Sequence, residues 1–572
     1  MQQSRNPSVE SPRADALLAC DAEAFRREGA IKMKFFRGAL FFVVFTTSGY
    51  VIKSDSTNAG PIRITTESGI VIGQVSDGIR IFKGIPYAAP PVGDLRWAPP
   101  KPSVKWAGER KAIAFGAACA QPDFAALTGA KPVGKALSGK GYDLWVGVPS
   151  APGSSEDCLF LNVWAPLRAS RAPVMVFIHG GGGSGAIPYW DGSAFARDGV
   201  ILLTINYRNF TIGKFAHPAL TKAAGPNDPL ARFDLMDHLA ALRWVRDNIA
   251  EFGGDPRNVT LFGQSAGGAA TIQLLTVPAA HGLFHKAIVE SGNGWWAPFD
   301  QKAYEKIGSL LANQAGLPGA EATVEQLRAL PPDAMPWIGS FNFDGRLVPE
   351  SPTEAIAAGR VADVPLMIGW NSNDGSSLRS GLSEIVENAS PELRAAYAPL
   401  GKSGDDLAYA MYTDSHVAAP ARWIAERTAA GKPTYLYQFS YVRATERAKI
   451  HGASHGAELP YVFDSWSKFA PTLTLTDEER SVTRTIHSCW VGFAKTGKPR
   501  CEGAPEWPRF SAGNDRLMDF DIAAKVKQHV RKAQLDAQIA AMNDSIAAQR
   551  PSLRELAMAL EKMRPDALQQ GH

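Results

Sequence analysis

The pentapeptide GQSAG at residues 263–267 constrains the fold of this chain more than any other segment. It follows a short apolar run, residues 259–262, and leads into a run of small residues that favours a helix, residues 266–270. A serine between glycines at such a strand-to-helix turn is typical of a nucleophile elbow, whose strained backbone leaves no room for larger neighbours. We therefore predict that Ser265 is a nucleophile at the end of a sheet strand.

Other short, strongly apolar runs predict the rest of that sheet. They occupy residues 174–178, 200–205, 259–262, 287–289 and 365–368. Such runs are typical of strands that are buried on both faces. Between two of them, apolar residues recur at helical spacing from Leu235 to Ile249. The repeat of strand, helix and strand predicts an α/β fold with a large, mostly parallel sheet flanked by helices.

The two ends of this region have patterns of their own. Residues 70–82 alternate apolar and polar side chains around turn residues, which predicts a small N-terminal antiparallel meander. Apolar residues from Val526 to Ile546 recur at roughly helical spacing, which predicts a terminal surface helix. With no internal repeat or low-complexity linker, we expect one catalytic domain over residues 60–549, followed by a charged tail over residues 550–572.

The N-terminal segment, residues 1–59, is interpreted as an over-called start plus a signal peptide. Met33 opens a short basic stretch, and an apolar run follows from Gly38 to Phe45. This order is typical of a signal peptide whose translation begins at Met33. An uncleaved membrane anchor is the alternative, but the run is shorter than the ~20 residues that a spanning helix needs. We expect an exported protein, periplasmic or secreted, without stable membrane insertion after cleavage.

Composition excludes several classes of function. Apolar residues make up 45% of the chain and charged residues 20%, as in ordinary globular proteins. The formal charge is +4, and no basic run is interleaved with aromatics, so nucleic acid is not an expected partner. The five cysteines form no C-x-x-C pair, and no His/Cys cluster has zinc-ligand spacing, so we predict no metal and no cofactor. Whether Cys489 and Cys501 pair stays open.

The sequence HGGGG at residues 179–183 directly follows the predicted strand 174–178. Glycines there would let backbone N–H groups approach a substrate carbonyl and, with the N–H of Ala266, stabilise an oxyanion. A flexible glycine turn and a phosphate-binding loop are the alternatives. A phosphate-binding loop would need a Lys followed by a Ser or Thr after the glycines, and no such pair follows.

The base and the acid are harder to choose. Eleven histidines compete, and spacing alone does not separate His455 from His451, both of which follow the predicted strand 434–439. Asp374 follows the predicted strand 365–368, although an Asp beside a Gly is often simply part of a turn. The chain order of nucleophile, acid and base fits the α/β-hydrolase fold.

Taken together, these segments resemble the type-B carboxylesterase and lipase family, which includes the cholinesterases. The resemblance also rests on GIPYAAPPVG at residues 84–93 and SEDCLFLNV at residues 155–163, and it extends from about Gly69 to Asp519. It implies a serine carboxylic ester hydrolase that acts on a small-molecule ester through an acyl-enzyme. A hydrolase of amides, carbamates or lactones remains an alternative, because the same triad serves all acyl transfers. A non-catalytic, neuroligin-like protein would lack the nucleophile.

The resemblance also implies roles for individual residues. In the catalytic machinery these are Ser265 as nucleophile, Asp374 as acid, His455 rather than His451 as base, Gly181, Gly182 and Ala266 as oxyanion donors, and Glu458 as an acid behind the triad. In the scaffold, Cys119 is implied to pair with Cys158, and Arg96 with Glu156. From their position after the strand 287–289, Trp295 and Trp296 would wall the acyl pocket, with ordinary core packing as the alternative.

This chain departs from the family at three places. The family usually has Glu where this chain has Asp374, and a shorter side chain demands a closer backbone or a shifted histidine. Where the family tends to continue with Leu-Gly after Arg208, this chain has Asn209 and Phe210, and Asp234 stands where a glycine is common. We expect these differences to affect the geometry of the site and its choice of substrate.

Overall fold

The computed structural model describes residues 61–121, 153–181, 183–295, 299–335, 342–378 and 381–548. All of them belong to one compact unit. The predicted domain boundaries, the signal peptide and the charged tail lie outside the described residues and stay predictions. None of the described helices is long and apolar enough to span a membrane.

The described residues form strands that are numbered β1 to β17 in chain order. They are Ile62–Thr66, Gly69–Ser76, Ile79–Pro86, Glu109–Lys111, Ala118–Cys119, Ser154–Ser155, Phe160–Pro166, Ala172–Ile178, Ile201–Ile205, Gly254–Gln264, Lys286–Glu290, Phe299–Asp300, Asn342–Phe343, Leu366–Asn371, Thr434–Phe439, Arg516–Phe520 and Lys525–Gln528.

The α-helices are numbered α1 to α16 in the same way. They are Ser193–Arg197, Phe210–Gly213, Pro218–Ala223, Phe233–Asn248, Ala266–Thr276, Gln301–Gln314, Val324–Ala329, Pro352–Ala357, Leu382–Glu387, Pro391–Tyr397, Gly404–Thr413, Ala419–Thr428, Leu459–Phe463, Trp466–Phe469, Asp477–Thr496 and Lys532–Ala548. A π-helical turn, Asp414–Ala418, joins α11 to α12.

One 13-stranded sheet dominates the described part of the chain, in the order β1-β2-β3-β7-β9-β8-β10-β11-β14-β15-β16-β17, with β4 beside β2. Its centre is parallel from β9 to β16. The pairings from β1 to β9 and between β16 and β17 are antiparallel. The predicted α/β architecture and N-terminal antiparallel meander are confirmed.

Helices cover both faces of the parallel centre. Along β8, Val176 and Ile178 belong to a core shared with Leu239 of α4, whereas Phe177 faces a second core that contains Trp490 of α15. All five side chains are at most 2% exposed. Successive side chains of a strand point to opposite faces, so burial on both sides explains why β8 is an uninterrupted apolar run.

The C-terminal prediction was wrong in part. Val526, assigned to a helix by its spacing, lies in the edge strand β17, and the helix α16 begins only at Lys532. All four residues of β17 are exposed, so the strand has no buried face to impose an alternating pattern.

Candidate active site

Ser265 occupies a tight turn between β10 and α5. Its backbone is left-handed, with φ 58° and ψ −121°, and its N–H donates to the carbonyl of Glu290 at 2.9 Å. A Cβ on Gly263 would lie 2.4 Å from the carbonyl oxygen of Gly267, and a Cβ on Gly267 would lie 1.9 Å from the carbonyl oxygen of Ile178. Only glycine fits at both positions, which gives the GQSAG pattern its physical reason.

The glycine run after β8 passes over this turn. A Cβ on Gly180 would lie 3.2 Å from the Cβ of Ser265, and one on Gly181 would lie 3.8 Å from the Cβ of Ala266. The loop therefore passes so close to the serine and to the N-terminus of α5 that side chains at these two glycines would contact them. Gly182 lies outside the described residues.

Asp374 and His455 meet at the carboxyl edge of the sheet, where β14 and β15 end. The Nδ1 atom of His455 lies 2.6 Å from Oδ1 of Asp374. The other oxygen of Asp374 accepts from the hydroxyl of Ser291 at 2.9 Å and from the N–H of Asn371 at 2.6 Å. Three donors therefore fix this carboxyl, which is 2% exposed.

His451, the competing histidine, lies elsewhere. It pairs with Asp406 at 3.2 Å, and its side chain is 66% exposed. The side chain of His455 is 18% exposed and contacts Asp374 instead. An exposed pair of a histidine and an Asp is stabilised only weakly. The two candidate histidines therefore differ both in burial and in the acid that they contact.

The short side chain of Asp374 is matched by a close approach of the two backbones. The N–H of Asn373 donates to the carbonyl of Ala453 at 2.9 Å, and Asn373 and Ser454 form an isolated parallel bridge. The N–H of His455 donates to the hydroxyl of Ser376 at 3.0 Å. The backbone segments that carry the acid and the histidine are therefore hydrogen-bonded to each other.

The imidazole of His455 is tuned by its surroundings. Burial alone would lower the pKa of His455, but the hydrogen bond and the charge of Asp374 outweigh it and raise that pKa. With Nδ1–H directed at Asp374, Nε2 carries the lone pair, and it lies 3.3 Å from the side-chain nitrogen of Gln264, next to the elbow serine. Nε2 of the imidazole thus lies beside the elbow.

Two pairs that were implied in the scaffold are present. Cys119 and Cys158 are disulfide-bonded. Arg96 donates to Glu156 at 2.6 Å. The pair left open by the sequence, Cys489 and Cys501, is also bonded.

A model of the family described as "Carboxylesterase family" matches residues 61–396 and 387–538. The match covers nearly all of the described chain. The chain belongs to the carboxylesterase family. It is a carboxylic ester hydrolase.

Individual relatives of this carboxylesterase agree with that assignment. The para-nitrobenzyl esterase of Bacillus subtilis (strain 168) is 34% identical over 78% of this chain and 92% of its own length. The fumonisin B1 esterase of Sphingopyxis macrogoltabida is 33% identical over 80% of this chain and 85% of its own length. Among solved structures, a PNB esterase is 29% identical with a TM-score of 0.69, over 83% of this chain and 99% of the other.

The positions where this carboxylesterase departs from the family pattern are accommodated locally. Phe210, at the usual glycine, is left-handed with φ 47°, and the side chain of Asn209 accepts its N–H at 2.9 Å. Asp234 is buried and pairs with Arg232 at 3.0 Å.

Trp295, which was predicted to wall the acyl pocket, packs edge-on against Trp423 with ring centroids 6.3 Å apart. Its partner in the prediction, Trp296, lies outside the described residues.

Sequence reasoning missed several polar residues behind the triad. Ser291 and Asn371, which both donate to Asp374, were not among the predicted site residues. Glu290, at the end of β11, was also missed, whereas Glu458, three residues after His455, was implied by the resemblance; the two are 0% and 1% exposed. The sequence places Glu290 directly after the predicted strand 287–289, and an acidic residue at that position of a central strand is the signal that could have marked it.

Proposed function

We propose that this carboxylesterase cleaves its ester through an acyl-enzyme on Ser265, with His455 as base and Asp374 as the acid that orients it. The observation that carries the proposal is the 2.6 Å contact between Asp374 and His455 beside a strained serine. A serine hydroxyl is a weak nucleophile near neutral pH and needs such a base. The strained backbone exposes the hydroxyl to it.

In the first half of the reaction, Nε2 of His455 takes the proton of Ser265 as its oxygen attacks the ester carbonyl. The backbone N–H groups of Gly181, Gly182 and Ala266 would stabilise the negative oxygen that forms. His455 then returns the proton to the leaving alkoxide, and the acyl group stays on Ser265. In the second half, water attacks the acyl-enzyme by the same route and releases the acid.

Two substitutions and a matched control test the mechanism. Ser265→Ala and His455→Ala should each lower kcat by roughly 10⁴-fold or more, since each removes a reacting group. His451→Ala should keep kcat within about twofold, because it alters an exposed side chain. Activity of a folded Ser265→Ala protein near that of the wild type would refute the assignment.

The choice of acyl-transfer substrate is tested by a panel. Aryl, short-chain, long-chain and polyol esters should be compared with amides, carbamates and lactones by kcat/KM. We expect small-molecule esters to be preferred. A higher kcat/KM for an amide, a carbamate or a lactone than for every ester would contradict this preference.

We also propose that the protein is exported to the periplasm or secreted. Two disulfides, Cys119 with Cys158 and Cys489 with Cys501, support the proposal, since such bonds persist in oxidising compartments. Cell fractionation with N-terminal sequencing tests it. A product confined to the reducing cytoplasm with an intact N-terminus would contradict it.

A further inference from the structure

A second pair of acidic side chains lies behind the triad. Glu290 ends β11, and Glu458 follows His455 by three residues; the two are 0% and 1% exposed. Trp490 of α15 donates to one oxygen of Glu290 at 2.6 Å. The side-chain amide of Asn371 donates to one oxygen of Glu458. Each carboxyl group thus accepts a hydrogen bond from a neutral side chain.

The remaining oxygens lack such donors. Oε2 of Glu290, Oε1 of Glu458 and the side-chain oxygen of Asn371 are buried without a hydrogen-bond partner among the described residues, as is the hydroxyl of Tyr437. The two carboxylate oxygens and the amide oxygen can only accept. Leaving buried acceptors unpaired is costly, and a proton on one of the two carboxyls would supply a donor within the cluster.

The electrostatics of the two carboxyls favour such a proton. Burial raises the pKa of Glu290 well above its ordinary value, and the charge of Glu458 raises it further. Burial and then the charge of Asp374 raise the pKa of Glu458 to about 7. The titratable groups that face this pair are Asp374 and His455 of the triad and Tyr437 of β15. Buried carboxyls that repel one another in this way do not all ionise together.

We propose that Glu290 is a positioning residue of the triad, which stays a neutral carboxylic acid near neutral pH and uses its proton to hold the Glu458 carboxylate close to His455. The proposal rests on the proposed triad mechanism. No bond is broken in this role, because the proton stays within the Glu290–Glu458 pair. The pair then carries one negative charge instead of two.

The single charge matters for the base. The charge of Glu458 favours the protonated form of His455, as does the charge of Asp374. One such charge stabilises the imidazolium that forms during the reaction. Each such charge also raises the pKa of His455 in the free enzyme. A second charge on Glu290 would raise that pKa further and reduce the fraction of His455 that is neutral and can act as a base. A neutral Glu290 keeps the stabilisation by Glu458 without this further rise.

Two substitutions of Glu290 test whether the enzyme needs a neutral hydrogen-bond donor or a negative charge at this position. Glu290→Gln keeps the size and an N–H donor, and should keep kcat at neutral pH within about threefold. Glu290→Met removes the donor and should lower kcat by about tenfold with KM little changed. Melting temperatures and complete organophosphate labelling of Ser265 check that both variants are folded. The proposal is overturned if Gln is as damaging as Met, or if neither changes kcat.

Infrared difference spectra give a readout that packing alone would not change. At neutral pH, wild type minus Glu290→Gln should show the C=O stretch of a protonated carboxylic acid. The control is Glu350→Gln, because Glu350 is paired with Arg360 at the surface and should show carboxylate bands only. Carboxylate bands for Glu290 would overturn the proposal. The proposed function fails separately, through an active Ser265→Ala protein, and the infrared result does not depend on it.

Discussion

Replacing Asp374 by Glu, the residue usual in the family, should damage this enzyme. The carboxyl of Asp374 is held from three sides, by His455 at 2.6 Å, by Ser291 at 2.9 Å and by the N–H of Asn371 at 2.6 Å. The backbones on either side are themselves bridged, between Asn373 and Ala453. The site is therefore built for the shorter side chain.

The expected losses of kcat and of stability in Asp374→Glu follow from these distances. One added methylene lengthens the side chain by about 1.5 Å, the length of a carbon–carbon bond. With the contact to His455 already at 2.6 Å, the imidazole must move or the carboxyl must leave its other donors. A misplacement of about 1 Å costs about 10² in rate, so kcat should fall about 100-fold. Overpacking of the buried site should cost about 1–3 kcal/mol of stability.

Steady-state hydrolysis of a chromogenic aryl ester measures the effect, with kcat referred to the fraction of protein labelled by an organophosphate. Asp406→Glu is the matched control, because it lengthens the acid of the exposed Asp406–His451 pair. That variant should behave as wild type. An Asp374→Glu enzyme with kcat within about threefold of wild type would refute the reasoning, because it would show that the backbone tolerates either acid.

Three further predictions concern the same structure. In the proposed mechanism, activity requires neutral His455 and is lost as pH falls through the pKa of His455. Burial lowers that pKa but Asp374 raises it more, so the acid limb of kcat/KM should have its midpoint above 6.5 and not below. Ser291→Ala removes one of three donors to Asp374 and should lower kcat about tenfold in the same assay. Replacing Cys119 and Cys158 by Ala should lower the free energy of unfolding in urea by about 4 kcal/mol, because the bond closes a long loop with a sequence separation of 39. An unchanged midpoint of unfolding would contradict the last prediction.

The central strands were predictable because they are buried on both faces. The run 434–439 coincides with β15, and the run 174–178 lies within β8, Ala172–Ile178. The strand β7, Phe160–Pro166, was not predicted: its apolar pattern is broken by the buried Asn162, whose amide donates to Gly185 and Thr204. A buried polar side chain whose hydrogen bonds form only in the folded state interrupts the apolar pattern, so a strand that contains one is missed by hydrophobicity alone.

The candidate site was predictable only where a residue belongs to a local sequence pattern. Ser265 has a local pattern, because the elbow constrains its immediate neighbours. Asp374 and His455 are 81 residues apart, so nothing local selects His455 over His451, and only the resemblance to the family did so. Ser291 and Glu290 belong to no motif, and they act through contacts that exist only once β11 and β14 lie side by side.

Trapping the acyl-enzyme tests the central claim most directly. A slowly hydrolysed ester is mixed with the enzyme, the reaction is quenched in acid, and the protein is analysed by intact and peptide mass spectrometry. We expect wild type to gain the mass of one acyl group on the peptide that contains Ser265, and Ser265→Ala to gain none. An acyl group on another residue, or continued turnover by Ser265→Ala, would contradict the account.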